Sequence, residues 1–228
     1  ASELAKLWPL IEQTEWLDWL LLSKRPERYV EILPKAWRDT PRHNVWTGAT
    51  VENRETAETR CAALLDTPSA LRFLSMEPLI EAVDLTRVQL FKSPPWPTPI
   101  GGAPWRNVLT GNGMGPSPMT GVLIESSLDH HIDWVIVGGE SGKKARPFHL
   151  NWAHDLVAQC QAAGVPVFFK QAGDAPVLAM PEETSATMFE PGSCSTRLVQ
   201  IKPKHAKGED LAEWPEELRV RQFPEVRR

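Results

Sequence analysis

The sequence predicts an α/β protein, a partial (β/α) barrel of parallel strands with one long Pro/Gly-rich insertion and an irregular carboxyl-terminal tail. Three observations predict it. Five short runs rich in Val, Ile, Leu, Phe and Trp are continuously apolar, the pattern of strands buried on both faces. Each run gives way to a small or polar residue and then a charged one. The closing charges recur at about one strand–helix unit, 28 positions from Lys24 to Glu52, 25 from Glu52 to Glu77 and 30 from Glu140 to Lys170.

Taken in order, residues 3–13 place Leu4, Leu7, Leu10 and Ile11 at helical spacing, and Pro9 within them predicts a kink or restart. The first strand run begins at Trp19 and closes on Lys24-Arg25. Pro26 suits an early helical position, Tyr29, Val30 and Leu33 share a face, and Pro34 ends that helix. The second run, from Val45, closes on Glu52 and leads into a helix over 53–65. Asn53 is its N-cap and acidic residues in its first turns favour the dipole. The third run, from Leu71, closes on Glu77. An interval rich in Pro and Gly follows, about 91–131, and reads as an ordered long loop or small β excursion, either a lid over the functional edge or a surface insertion. The fourth run, from Trp134, closes on Gly138-Gly139-Glu140-Ser141. A helix over 152–163, stopped by Gly164, precedes the fifth run, which closes on Lys170. Residues 1–173 thus form the barrel domain. Residues 174–228 form a tail, loop-like over 174–200, that packs back through Trp214, Leu218 and Phe223.

With 228 residues the chain is long enough for one α/β domain with a substantial core. Its net charge of −4 argues against broad nucleic-acid affinity, which needs a basic face. Local basic clusters exist, Lys143, Lys144 and Arg146, then Lys202, Lys204 and Lys207, and such clusters are more often solvated surface. Cys61, Cys160 and Cys194 are too far apart in sequence for a zinc motif and suit a reducing compartment. No apolar stretch approaches the roughly 20 residues of a membrane helix, and no signal peptide is visible, so a cytoplasmic protein is expected.

Parallel sheets carry their chemistry at the carboxyl edge of the strands, so the five closing charges predict a polar mouth. Glu140, Lys170 and Glu77 are the catalytic candidates there. Lys24, Arg25, Glu52, Gly138, Gly139, Ser141 and Arg146 are the ligand-binding candidates. Lys24-Arg25 suits a phosphate or carboxylate, Arg through its bidentate fork; an ion pair of Lys24 with Glu52 or Glu77 is the alternative. Glu52 and Glu77 on neighbouring strands suit a carboxylate pair with one pKa raised, or are neutralised by Lys24 and Lys170. Two glycines before Glu140 let a ligand approach the backbone, and Glu140 accepts from an amine or hydroxyl, or else pairs with Arg146 or Lys170. Lys170, ending a buried strand, is the best functional amine. His149 and His154 lack metal-ligand spacing and no metal site is predicted. Trp96 and Trp105 in the insertion are the tryptophans suited to stacking on a ligand.

The segments Leu20-Leu21-Leu22-Ser23-Lys24-Arg25-Pro26-Glu27, Asn44-Val45-Trp46-Thr47-Gly48, Arg72 to Leu79, Asp133 to Gly142, Ala145-Arg146-Pro147 and Phe168-Phe169-Lys170-Gln171 occur in fixed order. With the ending from Asp210 to Pro224, this set resembles an uncharacterised, phage-associated, radical-SAM-like family. The resemblance implies a barrel whose amino-terminal part carries three cysteines holding an iron–sulfur cluster. That motif is absent here, and the chain starts at what looks like a helix before a middle strand. The expectation is therefore the carboxyl-terminal two-thirds of such a protein. S-adenosylmethionine and a [4Fe–4S] cluster are implied only with an upstream three-cysteine segment, because without thiolates nothing anchors the cluster. Gly138-Gly139-Glu140 is similar to the element with which such enzymes hold the methionine part of their cofactor, although here it ends a late strand.

The function expected is that of a phage or prophage protein, the substrate- and cofactor-facing portion of a radical-SAM-like enzyme, without radical activity of its own. The alternative is a non-catalytic binding module for a partner protein or nucleic acid. Whether this chain is itself an enzyme stays open. An exposed barrel edge predicts a homodimer or a covering by Leu4 to Ile11, and a partner encoded nearby is the other protein ligand considered.

Overall fold

The five apolar runs are five parallel strands, and they stand side by side in the order in which the chain makes them. The computed structural model describes residues 3–90, 104–117, 122–181, 196–204 and 208–225. Helix α1 (Leu4–Gln13) runs unbroken through Pro9, where the sequence predicts a kink. Proline removes one hydrogen bond there, and tertiary packing offsets it: Ile11 is fully buried and the Trp8 ring meets Trp37 edge-on at 5.3 Å. Strand β1 (Trp19–Ser23) is followed by a 3₁₀ turn at Pro26–Arg28, then α2 (Tyr29–Ile32) and α3 (Lys35–Asp39). Strand β2 (Val45–Thr50), helix α4 (Arg54–Leu65) and strand β3 (Leu71–Met76) form a strand–helix–strand unit.

The crossover from β3 to the next sheet strand is not helical. Its described part carries β4 (Trp105–Arg106), β5 (Asn112–Pro116) and β6 (Leu123–Ser127), a small antiparallel sheet, so the Pro/Gly-rich interval includes a β excursion. Val83, Leu85, Val88, Val108, Leu109 and Ile132 sink into the same core as the helices. The described part of this connection thus covers the helix-bearing face of the main sheet and is not a lid over its carboxyl edge; residues 91–103, with Trp96, lie outside the described residues. Trp105 lies under the Arg87 guanidinium at 5.3 Å.

Strand β7 (Trp134–Gly138), the two-residue β8 (Phe148–His149), helix α5 (Leu150–Ala163) and strand β9 (Val167–Gln171) complete the main sheet. Gly164 ends α5 at φ +70°, a left-handed position that favours glycine. Beyond it, β10 (Pro176–Pro181) pairs antiparallel with β11 (Thr196–Gln200), where the sequence suggests irregular chain. Prolines at both ends of β10, and a partner strand distant in sequence, hide that pairing from local pattern.

Alternation sorts the sheet into two faces. Ala49, Leu74, Val135 and Val167 face α4 and α5 in the main core, which also holds Trp214 and Leu218 from the tail. The other face carries the row Leu22, Gly48, Phe73, Trp134 and then Thr50, Ser75, Ile136, Phe168. Here Trp46, Leu71, Phe73 and Trp134 make a second aromatic cluster. The two sheet edges differ. Along β9, residues 220–222 run antiparallel, Phe169 N–H donating to Val220 at 2.8 Å and Gln222 N–H to Val167 at 2.9 Å. On β1 no strand among the described residues occupies the outer side, and α1 leaves Leu20 and Leu22 43% and 51% exposed. Among the described residues no helix is long and apolar enough to cross a membrane.

Candidate functional site

Following the aromatic face toward the carboxyl ends of the strands reaches Lys24, Glu52, Glu77 and Glu140 just past β1, β2, β3 and β7, and Lys170 within β9, so the register delivers the five predicted charges to one edge. The start of α4 fixes Glu52. Asn53 accepts from the Thr56 N–H at 2.9 Å, and the Thr56 hydroxyl accepts from the N–H groups of both Asn53 and Glu52 at 3.0 and 2.9 Å. The Glu52 carboxylate receives Lys24 Nζ at 3.0 Å and Arg60 Nη1 at 3.4 Å. Burial pushes its pKa up, but the hydrogen bond from Lys24 and the charges of Lys24 and Arg60 together win and hold it below its usual value. A carboxylate pair with Glu52 raised is therefore not what the site contains.

Glu77 makes a longer reach. Its carboxylate crosses β7 to accept from Lys170 Nζ at 2.9 Å and from Gln171 Nε2 at 3.0 Å, both on β9. Gly138 lies between, and a Cβ there would stand 3.2 Å from the Glu77 carboxyl carbon, so a glycine is what gives the side chain its passage. A register shift between β7 and β9 pairs Val137 with Phe169 but Gly138 with Gln171. That bulge brings Lys170 and Gln171 to the same carboxylate, although simple alternation would send them to opposite faces. Gln171 also donates to the Ser141 hydroxyl at 3.0 Å and to the Gly139 carbonyl at 3.3 Å, which ties the glycine-rich turn to Glu77.

Glu140 pairs with Arg146, which donates Nε at 2.8 Å and its own backbone N–H at 3.0 Å. These bonds hold the Glu140 pKa below its usual value and raise that of Arg146; the nearby charge of Glu52 adds to the latter, so the two ion pairs share a field. Arg25 is exposed beside them, its N–H donating to Ser23 Oγ at 2.9 Å. All ten predicted residues therefore lie at this edge. Arg60 and Gln171 belong to it too and were not among them. Arg60 stands on α4 two turns from the cap, a spacing that sequence alone could have offered; the bulge that recruits Gln171 has no sequence signal.

The three pairs share one asymmetry. The carboxylates are the more enclosed members, Glu77 at 19% and Glu52 at 17% side-chain exposure, against 52% for Lys170 and 62% for Lys24. Cations stand outward, anchored from below. A cavity of about 900 Å³ lies elsewhere, at the amino edge, where His43, Leu71, His131, Asp133 and Phe223 line it. Burial raises the Asp133 pKa, yet that carboxylate already accepts the Arg72 N–H at 2.7 Å. Its lining comes from strand beginnings and the tail and holds one histidine–carboxylate pair, His131 with Asp133 at 3.6 Å, whereas the carboxyl edge gathers three lysine or arginine pairs and is the better candidate.

Among the described residues no three His, Cys, Asp or Glu side chains gather as a metal site. Cys61 on α4 and Cys160 on α5 are buried in the core, which pushes both thiols up to about 12. They do not fit an iron–sulfur cluster, which needs accessible thiolates, and Cys194 lies outside the described residues. No curated protein and no solved structure matches the chain. A family model described as "Protein of unknown function (DUF5131)" matches residues 1–213, and the chain belongs to that family.

Proposed function

We propose that the carboxyl edge is the ligand-facing mouth of a partial (β/α) barrel of the phage-associated, radical-SAM-like kind, and that it receives an anionic group of a substrate or cofactor. The outward placement of Lys24, Arg146 and Lys170 over enclosed carboxylates carries this reading. A group arriving from solvent meets ammonium and guanidinium first, each already oriented by its carboxylate, so little side-chain entropy is lost on binding. Lys24, Arg146 and Lys170 present their charge outward at the mouth, over carboxylates that sit deeper, in a chain whose net charge is −4. A carboxylate or phosphate suits it. An amino-acid-like zwitterion, as in the methionine part of S-adenosylmethionine, suits it further, its carboxylate meeting the outward cations and its ammonium meeting Glu140, the most exposed of the three carboxylates.

Radical generation is not part of the reading for this chain, whose described thiols do not fit a cluster. Glu52 and Glu140 are held ionised, which suits fixed anchors better than proton carriers, and this favours the second reading, a cytoplasmic binding module without catalysis. In either case Lys170, fixed by Glu77, is the group placed to contact the ligand.

Calorimetric titration of the chain with S-adenosylmethionine and, separately, with inorganic phosphate tests the mouth. Binding of at least one is expected, with Lys170→Ala and Lys24→Ala each weakening it about tenfold or more, a change of about 1.4 kcal/mol. Absence of binding to either, or affinity unchanged in both variants, defeats the proposal.

A further inference from the structure

From the polar atoms that the mouth leaves unspent we infer that its ligand is a sugar phosphate, the phosphate held by the outward cations and the sugar hydroxyls received by Thr50, Ser75 and Gln171. The inference rests on the reading of the carboxyl edge as an anion-receiving mouth, and it names the class of ligand that the mouth accepts.

Strand alternation puts Thr50 and Ser75 on the same sheet face as Glu52 and Glu77, two residues nearer the strand centres. They are register partners on neighbouring strands, so their side chains stand next to each other. At about 3.3 Å per residue the pair lies about 7 Å below the carboxylates. Thr50 is 4% and Ser75 7% exposed, and neither hydroxyl makes a hydrogen bond among the described residues. Gln171, also nine-tenths enclosed, spends its Nε2 on Glu77, Ser141 and the Gly139 carbonyl, while its Oε1 accepts from no described group.

An enclosed polar atom without a partner costs free energy unless water or a ligand reaches it. The fully sealed atoms of that kind among the described residues are Arg38 Nε, on α3, and Thr47 Oγ1, on β2. The Thr50 and Ser75 hydroxyls and Gln171 Oε1 are not among them, so each keeps an opening although its residue is enclosed. A bare anion offers these atoms nothing to donate. Ligand hydroxyls answer all of them, since a hydroxyl both donates to and accepts from Thr50 and Ser75, and donates to Gln171 Oε1, which only accepts. Ile136 and Phe168 continue the Thr50–Ser75 row across β7 and β9, and these half-buried apolar side chains suit the C–H face of a sugar ring. Above the row, a phosphate ester with three acceptor oxygens and a charge of about −1.5 to −2 suits a rim that carries three outward cations.

Calorimetric titration of the chain with ribose 5-phosphate and glucose 6-phosphate, each beside the n-alkyl phosphate of equal carbon number, tests this. At least one sugar phosphate is expected to bind about tenfold or more tightly than its alkyl counterpart, because a site that hydrogen-bonds hydroxyls rejects an analogue lacking them. Thr50→Val and Ser75→Ala, which each delete one hydroxyl, are expected to reduce that preference several-fold, with circular dichroism checking the fold. Should a variant unfold, the wild-type comparison decides by itself: equal affinity for the sugar and alkyl esters overturns the inference. A preference that survives both substitutions overturns it as well, and either result leaves the mouth standing as an anion site. Failure of every ester to bind also overturns it, and takes the mouth with it only if inorganic phosphate and S-adenosylmethionine fail too.

Discussion

Gly138 and Gly139 are neighbours with different duties. At Gly138 an added methyl would press on the Glu77 side chain at 3.2 and 3.3 Å, and that side chain can yield by a few tenths of an ångström. At Gly139 it would meet the Ala172 carbonyl at 2.2 Å, and backbone cannot yield so cheaply. Urea unfolding should therefore show Gly139→Ala destabilised by about 1–3 kcal/mol, the usual range for overpacking. Gly138→Ala should fold nearly as well as the wild type but bind anions more weakly; equal stability loss in both would sink this division. Glu52 carries a pH signature. Its folded pKa lies below the ordinary 4.5, so its contribution is fully present above that value and is lost as pH falls through the folded pKa. Glu52→Gln should accordingly flatten the acid limb of a melting-temperature profile below pH 4.5 while changing little of its shape at neutrality. Lys24, Glu52, Glu77, Glu140 and Lys170 were legible in sequence because each follows an apolar run, and strand polarity sends such residues to one edge. Their pairing was not, because it depends on Gly138 opening a path over β7 and on a bulge that turns Gln171.

A helix cap connects element to site. Asn53 and Thr56 satisfy the first peptide groups of α4, and through the Glu52 N–H they also set the chain that carries the Glu52 carboxylate. Asn53→Ala should cost about 1 kcal/mol, typical of a lost N-cap, as read by thermal or denaturant unfolding. A change below the error of the measurement would mean the cap is redundant. The parallel strands and the two long helices were readable because apolar continuity, the Asn53 cap and the Gly164 stop agree at each boundary. The strands β4 to β6 and β10 were not so readable. They are two to six residues long, some are interrupted by Gly or bounded by Pro, and their partners are set by tertiary pairing. The helix α1 shows the same limit from the other side, since the packing of Trp8 and Ile11 overrides the local veto of Pro9.

At the scale of the molecule the sheet separates two environments, a helix-covered core and an aromatic face lightly dressed by the tail. Trp214 closes the first, its ring buried and its Nε1 donating to Gly208 at 3.1 Å, while Phe223 lies over Trp134 and Phe168 on the second. The sequence pointed to Trp214 and Leu218 as anchors because they are large apolar residues in an otherwise polar tail; the antiparallel run beside β9 carries no such mark. The positions of the two described cysteines have a further use. Cys61 sits on the helix between β2 and β3, and Cys160 on the helix between β7 and β9, so each thiol is sealed beneath a different half of the sheet. Neither can react with an alkylating reagent until its own helix lifts. In a Cys194→Ser background, the two alkylation rates become clocks of opening, one per half. Equal rates that fall together as stability rises would mean that the chain opens as one cooperative body. A faster Cys61 would instead make the half of the sheet nearer β1 the place where unravelling begins.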